Sequence, residues 1–351
     1  MSRFLANRLL SLTPYTPGEQ PQDKRYIKLN TNESPFPPSP GVLLVVQEEA
    51  EKLQLYSDPE SRLVTGAIAD HYGLSPSQVL VGNGSDELLN FAFMAFCDLE
   101  HPALFPDISY GFYPVFADLN GVPFIELPLC DDFTVDLNEY IIRDGTVFLA
   151  NPNAPTGLAV SAKAIERMLV SRPDRMHVID EAYVDFGAES VLPLVKDYDN
   201  LLVIQTFSKS RSMAGARLGF AVGCEDLIRD LNTIKYSTNP YNVNRMTCAA
   251  GAAAIREDAY YQENIQLIME NRGWTREKLM QLGFEVPDSR ANFLFARSNR
   301  MDGEALYLAL KERGVLVRHF KKERIRDYVR ITVGTKNQME CLIREIEDLL
   351  S

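Results

Sequence analysis

The chain has 351 residues, 46% of them hydrophobic and 24% charged, a balance that excludes disorder over most of its length. Its 36 Lys and Arg against 48 Asp and Glu leave a net charge of −12, which argues against nucleic acid or an anionic membrane as the main partner, since phosphate backbones demand clustered cations. Five scattered cysteines suggest neither a disulfide framework nor a zinc site, and no apolar run has the length of a signal peptide or a transmembrane helix, so a cytoplasmic protein without a metal is expected.

A chain of this length suits one large domain plus a smaller one. Residues 1–40 read as an extended arm, because Pro14, Pro17, Pro21, Pro35, Pro37, Pro38 and Pro40 forbid a long helix. A β/α alternation then begins near residue 42. Val79-Leu80-Val81 reads as a strand that enters Gly82-Asn83-Gly84-Ser85-Asp86, and 86–97 reads as a helix apolar nearly all round.

Strands are expected at 103–105, 122–127, 146–150, 176–180, 201–206 and 219–223, several continuously apolar as central parallel strands are. A helix is expected over 161–170. The alternation predicts an α/β domain over 41–245, with a sheet covered on both faces and ligands at the carboxyl ends of its strands. From 243 to 281 the pattern is helical. Strands near 293–296, 315–317 and 328–332 and an amphipathic helix over 337–350 then complete a smaller α+β domain, 246–351, which the arm joins. Within 311–330 eight Lys and Arg stand against Glu312, Glu323 and Asp327, a local cationic patch in an acidic chain.

Four short stretches at strand ends carry chemistry. Gly82 to Asp86 joins a strand to a helix, where free amides and the helix dipole favour an anion, although Ser85 or Asp86 could equally serve as a simple cap. Asn151-Pro152-Asn153-Ala154-Pro155-Thr156-Gly157 forms a rigid turn whose asparagines can reach a cleft. Asp180, in Val178-Ile179-Asp180-Glu181-Ala182-Tyr183, ends a buried strand, and a carboxylate there is costly without a positive partner such as a pyridinium nitrogen. Lys209, in Thr206-Phe207-Ser208-Lys209, would be an ordinary surface lysine by itself. Two hydroxyls and Arg217 beside it make a phosphate cup.

In this order and spacing the four stretches resemble the fold-type I pyridoxal-phosphate aminotransferases over nearly the whole chain. Leu12-Thr13-Pro14-Tyr15, Leu29-Asn30-Thr31-Asn32-Glu33 and Val329-Arg330-Ile331-Thr332-Val333-Gly334 narrow the resemblance to the histidinol-phosphate aminotransferases. The resemblance implies a large domain with a mostly parallel seven-stranded sheet plus a smaller α+β domain, and pyridoxal 5'-phosphate as cofactor. It implies that Lys209 forms a Schiff base with the cofactor and moves protons, that Asp180 pairs with the ring nitrogen, and that Tyr183 bonds the ring hydroxyl.

Gly84, Ser85, Asp86, Thr206, Ser208 and Arg217 would hold the cofactor, Tyr110 would stack on its ring, and Tyr56 would reach the partner's site in a homodimer. Tyr15, Asn32, Arg318 and Arg330 would bind a phosphorylated amine, with a 2-oxo acid as the second substrate. The expected reaction is transamination between histidinol phosphate and 2-oxoglutarate, giving imidazole-acetol phosphate and glutamate, a step of histidine biosynthesis. A threonine-phosphate decarboxylase and an aromatic amino-acid aminotransferase remain open as alternatives. One position departs from the pattern: many relatives have Asn where this chain has Ala154, so either Asn153 substitutes for that contact with the ring hydroxyl or Tyr183 bears more of it.

Overall fold

The structure, a computed structural model, describes residues 2–10 and 12–351; Met1 and Ser11 of the arm lie outside the described residues. The arm stays without regular structure from Leu12 to Tyr26 and then forms β1 (Ile27–Lys28). Helix α1 (Pro40–Ala50) starts with proline in its first turn, where the missing N–H costs no hydrogen bond. Helix α2 (Arg62–Tyr72) stops at Gly73, whose φ of 64° suits the left-handed cap.

The alternation then runs through β2 (Val79–Asn83), α3 (Ser85–Phe96), β3 (Ala103–Pro106), α4 (Tyr113–Asn120), β4 (Phe124–Leu127), α5 (Leu137–Ile141), β5 (Thr146–Ala150) and α6 (Ala162–Ser171). It continues with β6 (His177–Asp180), β7 (Leu201–Thr206), β8 (Leu218–Val222) and α7 (Glu225–Thr238). The helical stretch that follows breaks at Glu257 into α8 (Arg245–Arg256) and α9 (Asp258–Gln281). The C-terminal part holds β9 (Phe284–Glu285), β10 (Phe293–Ser298), α10 (Gly303–Glu312), β11 (Val315–Leu316), β12 (Arg318–His319), β13 (Tyr328–Thr332) and α11 (Lys336–Leu350).

The large sheet has seven strands in the order β2-β8-β7-β6-β5-β3-β4. β8 runs antiparallel to both of its neighbours, and the other pairs are parallel. Side chains of a strand alternate between faces. Val147 and Leu149 accordingly join one core with α2 and α6, while Phe148 and Ala150 join another with α3 and α4. Coverage of both faces explains why β5, β7 and β8 are buried at every position.

The strand expected at 122–127 begins only at Phe124, where β4 starts; Pro123 before it has no N–H to give a ladder. The strand expected near 315–317 is β11, which pairs β1, and a separate short strand beyond it, β12, joins the small sheet β12-β13-β10-β9. Helix α9 connects two cores: Tyr261 packs with the large sheet, whereas Ile265, Ile268 and Leu279 pack with β10, β13 and α11. The β1–β11 pairing fastens the arm to the small sheet's side of the molecule.

Candidate active site

The carboxyl ends of β2, β5, β6 and β7 converge on a cavity of about 320 Å³ lined by Ser85, Asp86, Tyr110, Asp180, Tyr183, Thr206, Ser208, Lys209 and Arg217, among others, a size suited to a small ligand. Gly84 precedes α3 with φ 79°. A Cβ there would come within 2.6 Å of Arg217 Nη2, so glycine lets the guanidinium lie against the helix start. The same guanidinium pairs with Asp86 Oδ2 at 2.8 Å, and the Tyr110 hydroxyl donates to Asp86 Oδ1 at 2.5 Å. Thr206 Oγ1 donates to Ser208 Oγ at 3.0 Å and accepts from the Ser208 amide at 3.2 Å. Hydroxyls, a guanidinium and the amino end of α3 thus meet at one wall, the donor set an anion requires.

Asp180 lines the same cavity. It is 5% exposed, accepts from the Tyr113 hydroxyl at 3.1 Å and from the Ala182 amide at 3.2 Å, and has no Lys or Arg in ion-pair contact among the described residues. Burial pushes its carboxyl up to about 6. Burial, and then the charge of Asp180, raises the Tyr113 phenol well above its ordinary range. Lys209 Nζ donates to the Thr31 carbonyl at 3.4 Å and lies 5.7 Å from the centre of the Tyr183 ring. The Tyr183 oxygen accepts from Asn32 Nδ2 at 2.9 Å.

A second cavity, about 390 Å³, shares Thr31, Tyr110, Ala154, Tyr183 and Lys209 with the first and extends toward Tyr15, Arg318, Phe320 and Arg330. Arg330 donates from Nη2 to the Asn30 carbonyl at 3.1 Å, and its Nε is buried without a hydrogen-bond partner. Its pKa is lowered by burial, and among the described residues no carboxylate forms an ion pair with it. Arg318 forms no ion pair with Glu323 or Asp327; it donates to the Thr16 and Pro17 carbonyls at 2.9 and 3.0 Å, fastening the arm beside the cavity. Tyr15, on that arm, stacks on Phe112 with ring centroids 4.2 Å apart.

Two of the expected residues lie elsewhere. Tyr56 is 81% exposed, stacks on Tyr241 at 4.6 Å and lines neither cavity. Asn153 is buried and committed to the loop after β3: it accepts from the Ser109 hydroxyl at 2.7 Å and donates to the Ile108 carbonyl at 2.9 Å. Ala154, its neighbour, lines both cavities instead. Tyr113 and Phe320 went unnoticed in the sequence. Tyr113 stands three residues after Tyr110 in Ser109-Tyr110-Gly111-Phe112-Tyr113, and nothing in that stretch says which phenol reaches Asp180.

Pyridoxal phosphate fits this set. The buried carboxylate without a cation matches a positively charged ring nitrogen, the donor wall at Gly84 matches a phosphate, and the Lys209 amine lines the same cavity. The model of the family described as aminotransferase class I and II matches residues 24–346. A histidinol-phosphate aminotransferase 1 from Bradyrhizobium diazoefficiens is 49% identical over 350 residues, covering 100% of both chains. The histidinol-phosphate aminotransferase of Brachyspira hyodysenteriae is 46% identical over 352 residues, covering 100% of this chain and 99% of that one. The crystal structure of the Sinorhizobium meliloti histidinol-phosphate aminotransferase in complex with pyridoxal-5'-phosphate has a TM-score of 0.85 at 25% identity, covering 93% of this chain and 92% of that chain.

Proposed function

The chain belongs to the class I and II aminotransferase family, and we propose that it works as a cytoplasmic homodimer that moves an amino group between histidinol phosphate and 2-oxoglutarate, a step of histidine biosynthesis. The observation that carries the substrate class is Arg330, a cation facing the larger cavity without an anion, beside Arg318 and the Lys321-Lys322 pair. Pyridoxal 5'-phosphate is the cofactor, and when bound it supplies an aldehyde for the amino group and a ring that accepts the electron pair left on the substrate's amine-bearing carbon.

The chain's own residues do the rest. Lys209 Nζ, which lines both cavities, would take the proton from that carbon and deliver it to the carbon of the cofactor's aldehyde, the transfer that moving an amino group requires. Asp180, costly as a lone buried anion, holds the positive charge of a ring nitrogen, and Tyr113 keeps its carboxylate oriented. Arg217, Thr206, Ser208 and the amides at the start of α3 hold the cofactor phosphate, with Asp86 aligning the guanidinium. Tyr110 and Tyr183 face the space where the ring would lie. Arg330, Arg318 and Tyr15 hold the phosphate of the substrate and so place its amine near Lys209.

Homodimerisation is supported by exposed apolar side chains in the stretch of chain that holds Tyr56: Leu43, Leu44, Leu53, Leu55 and Leu63 are each at least half exposed, and clustered exposed apolar residues mark interaction surfaces. The reading is tested by steady-state transamination of imidazole-acetol phosphate with glutamate. The wild-type protein turns over and Lys209→Ala does not; an active Lys209→Ala variant would overturn the assignment.

A further inference from the structure

Three consecutive residues where the arm meets the site, Asn30, Thr31 and Asn32, each touch a different functional group. The Asn30 carbonyl accepts from Arg330, the Thr31 carbonyl accepts from Lys209, and Asn32 Nδ2 donates to the Tyr183 oxygen at 2.9 Å. Among the described residues no other side chain hydrogen-bonds that phenol. Ala154, Ala291 and Phe293, which pack around the Tyr183 ring, have no polar group to offer.

Asn32 is held in an unusual pose. It is 1% exposed and has φ 54°, in the left-handed region that asparagine tolerates better than most side chains. Thr332 Oγ1 accepts from the Asn32 amide at 2.9 Å and donates to Asn32 Oδ1 at 3.0 Å, and Asn292 Nδ2 donates to the Asn32 carbonyl at 3.0 Å. Oδ1 is thus engaged by Thr332, which turns Nδ2 toward Tyr183. Thr332 stands two residues after Arg330 on β13, so both side chains leave the same face of that strand.

We propose that Asn32 is a positioning residue that ties the anion-binding strand β13 to the Tyr183 phenol. Its amide donates to the phenol oxygen, so the phenol's own proton is left for the cavity, and Thr332 keeps the amide in that sense. This role presupposes the aminotransferase reading. A phenol that receives a hydrogen bond becomes a stronger donor. A stronger donor would favour negative charge on the cofactor's ring oxygen, and the proton on the nitrogen that Lys209 shares with the bound cofactor would then be released at lower pH. Loss of the amide moves that titration to higher pH.

The test is a pH titration of the visible absorption of the holoenzyme in the wild type, Asn32→Gly, Tyr183→Phe and the double variant. Glycine keeps the positive φ and removes only the side chain. Asn32→Gly is expected to raise the midpoint by about half to one pH unit, the scale of one hydrogen bond. In the Tyr183→Phe background it is expected to do nothing. Thr332→Val, which leaves both Asn32 and Tyr183 in place, raises the midpoint by less and carries the test if Asn32→Gly does not fold. An unmoved midpoint, or an equal shift with and without the phenol, overturns the role of Asn32. A wild-type protein that takes up no cofactor and shows no visible band would instead overturn the aminotransferase reading.

Discussion

Arg330→Met should weaken substrate binding while strengthening the substrate-free fold. The guanidinium makes one hydrogen bond to protein, at 3.1 Å to the Asn30 carbonyl, and its buried Nε has no partner. Its carbon is 5.3 and 5.8 Å from the ring centres of Phe293 and Phe320, surroundings that accept a methionine side chain. An unsatisfied buried donor costs about 1–3 kcal/mol, so its removal should stabilise the substrate-free protein by about 1 kcal/mol after some loss of packing, or about 2 °C in melting temperature. A phosphate held by two charge-assisted hydrogen bonds loses about 3 kcal/mol or more with them, which is roughly a hundredfold in kcat/KM. The loss falls mainly on KM, because the phosphate is remote from the reacting carbon. Steady-state kinetics with histidinol phosphate and thermal unfolding without substrate measure both effects. An unchanged KM, or a variant that melts below the wild type, would refute the reasoning.

Glu181 gives a pH prediction. It is 1% exposed, and burial pushes its carboxyl up to about 7 despite hydrogen bonds from Ser190, the Val191 amide and Gln205. A carboxyl whose folded pKa lies above its unfolded value weakens the fold above the folded pKa, and the penalty fades as pH falls toward the unfolded value, about 4. Relative to the wild type, Glu181→Gln should therefore gain stability between pH 5 and pH 8 in urea titrations; an equal difference at both would contradict the assigned pKa direction. Tyr56 gives a second prediction: mixed dimers of Lys209→Ala with Tyr56→Ala should regain one complete site and part of the lost turnover. Mixtures no more active than their parents would remove Tyr56 from the partner's site.

The elements legible in the sequence were those set by local pattern. Continuous apolar runs mark β6 and β7, and the motifs at their carboxyl ends put Asp180 and Lys209 at one cavity because strand ends of a parallel sheet share an edge, with Arg217 at the start of the antiparallel β8 on the same edge. Contacts between distant segments left no such trace. Asn32 and Tyr183 are 151 positions apart, and Tyr113 and Asp180 are 67 apart; nothing periodic links either pair. The turn Asn151–Gly157 was legible as a turn, but the direction of the Asn153 side chain depends on Ile108 and Ser109, which only the folded chain brings alongside. Phe320 was hidden for a related reason, since it gains meaning only where β13 sets Arg330 beside it.

The central claim is that Lys209 and the Arg330 site serve a phosphorylated amine that is transaminated. Its most direct measurement is a single-turnover half-reaction, in which the visible spectrum of the purified holoenzyme is followed as histidinol phosphate, threonine phosphate or phenylalanine is added separately, with carbon dioxide release monitored alongside. Rapid conversion of the cofactor spectrum by histidinol phosphate, much slower conversion by the other two, and no carbon dioxide are expected. Faster conversion by phenylalanine, or carbon dioxide released from threonine phosphate, would contradict the claim.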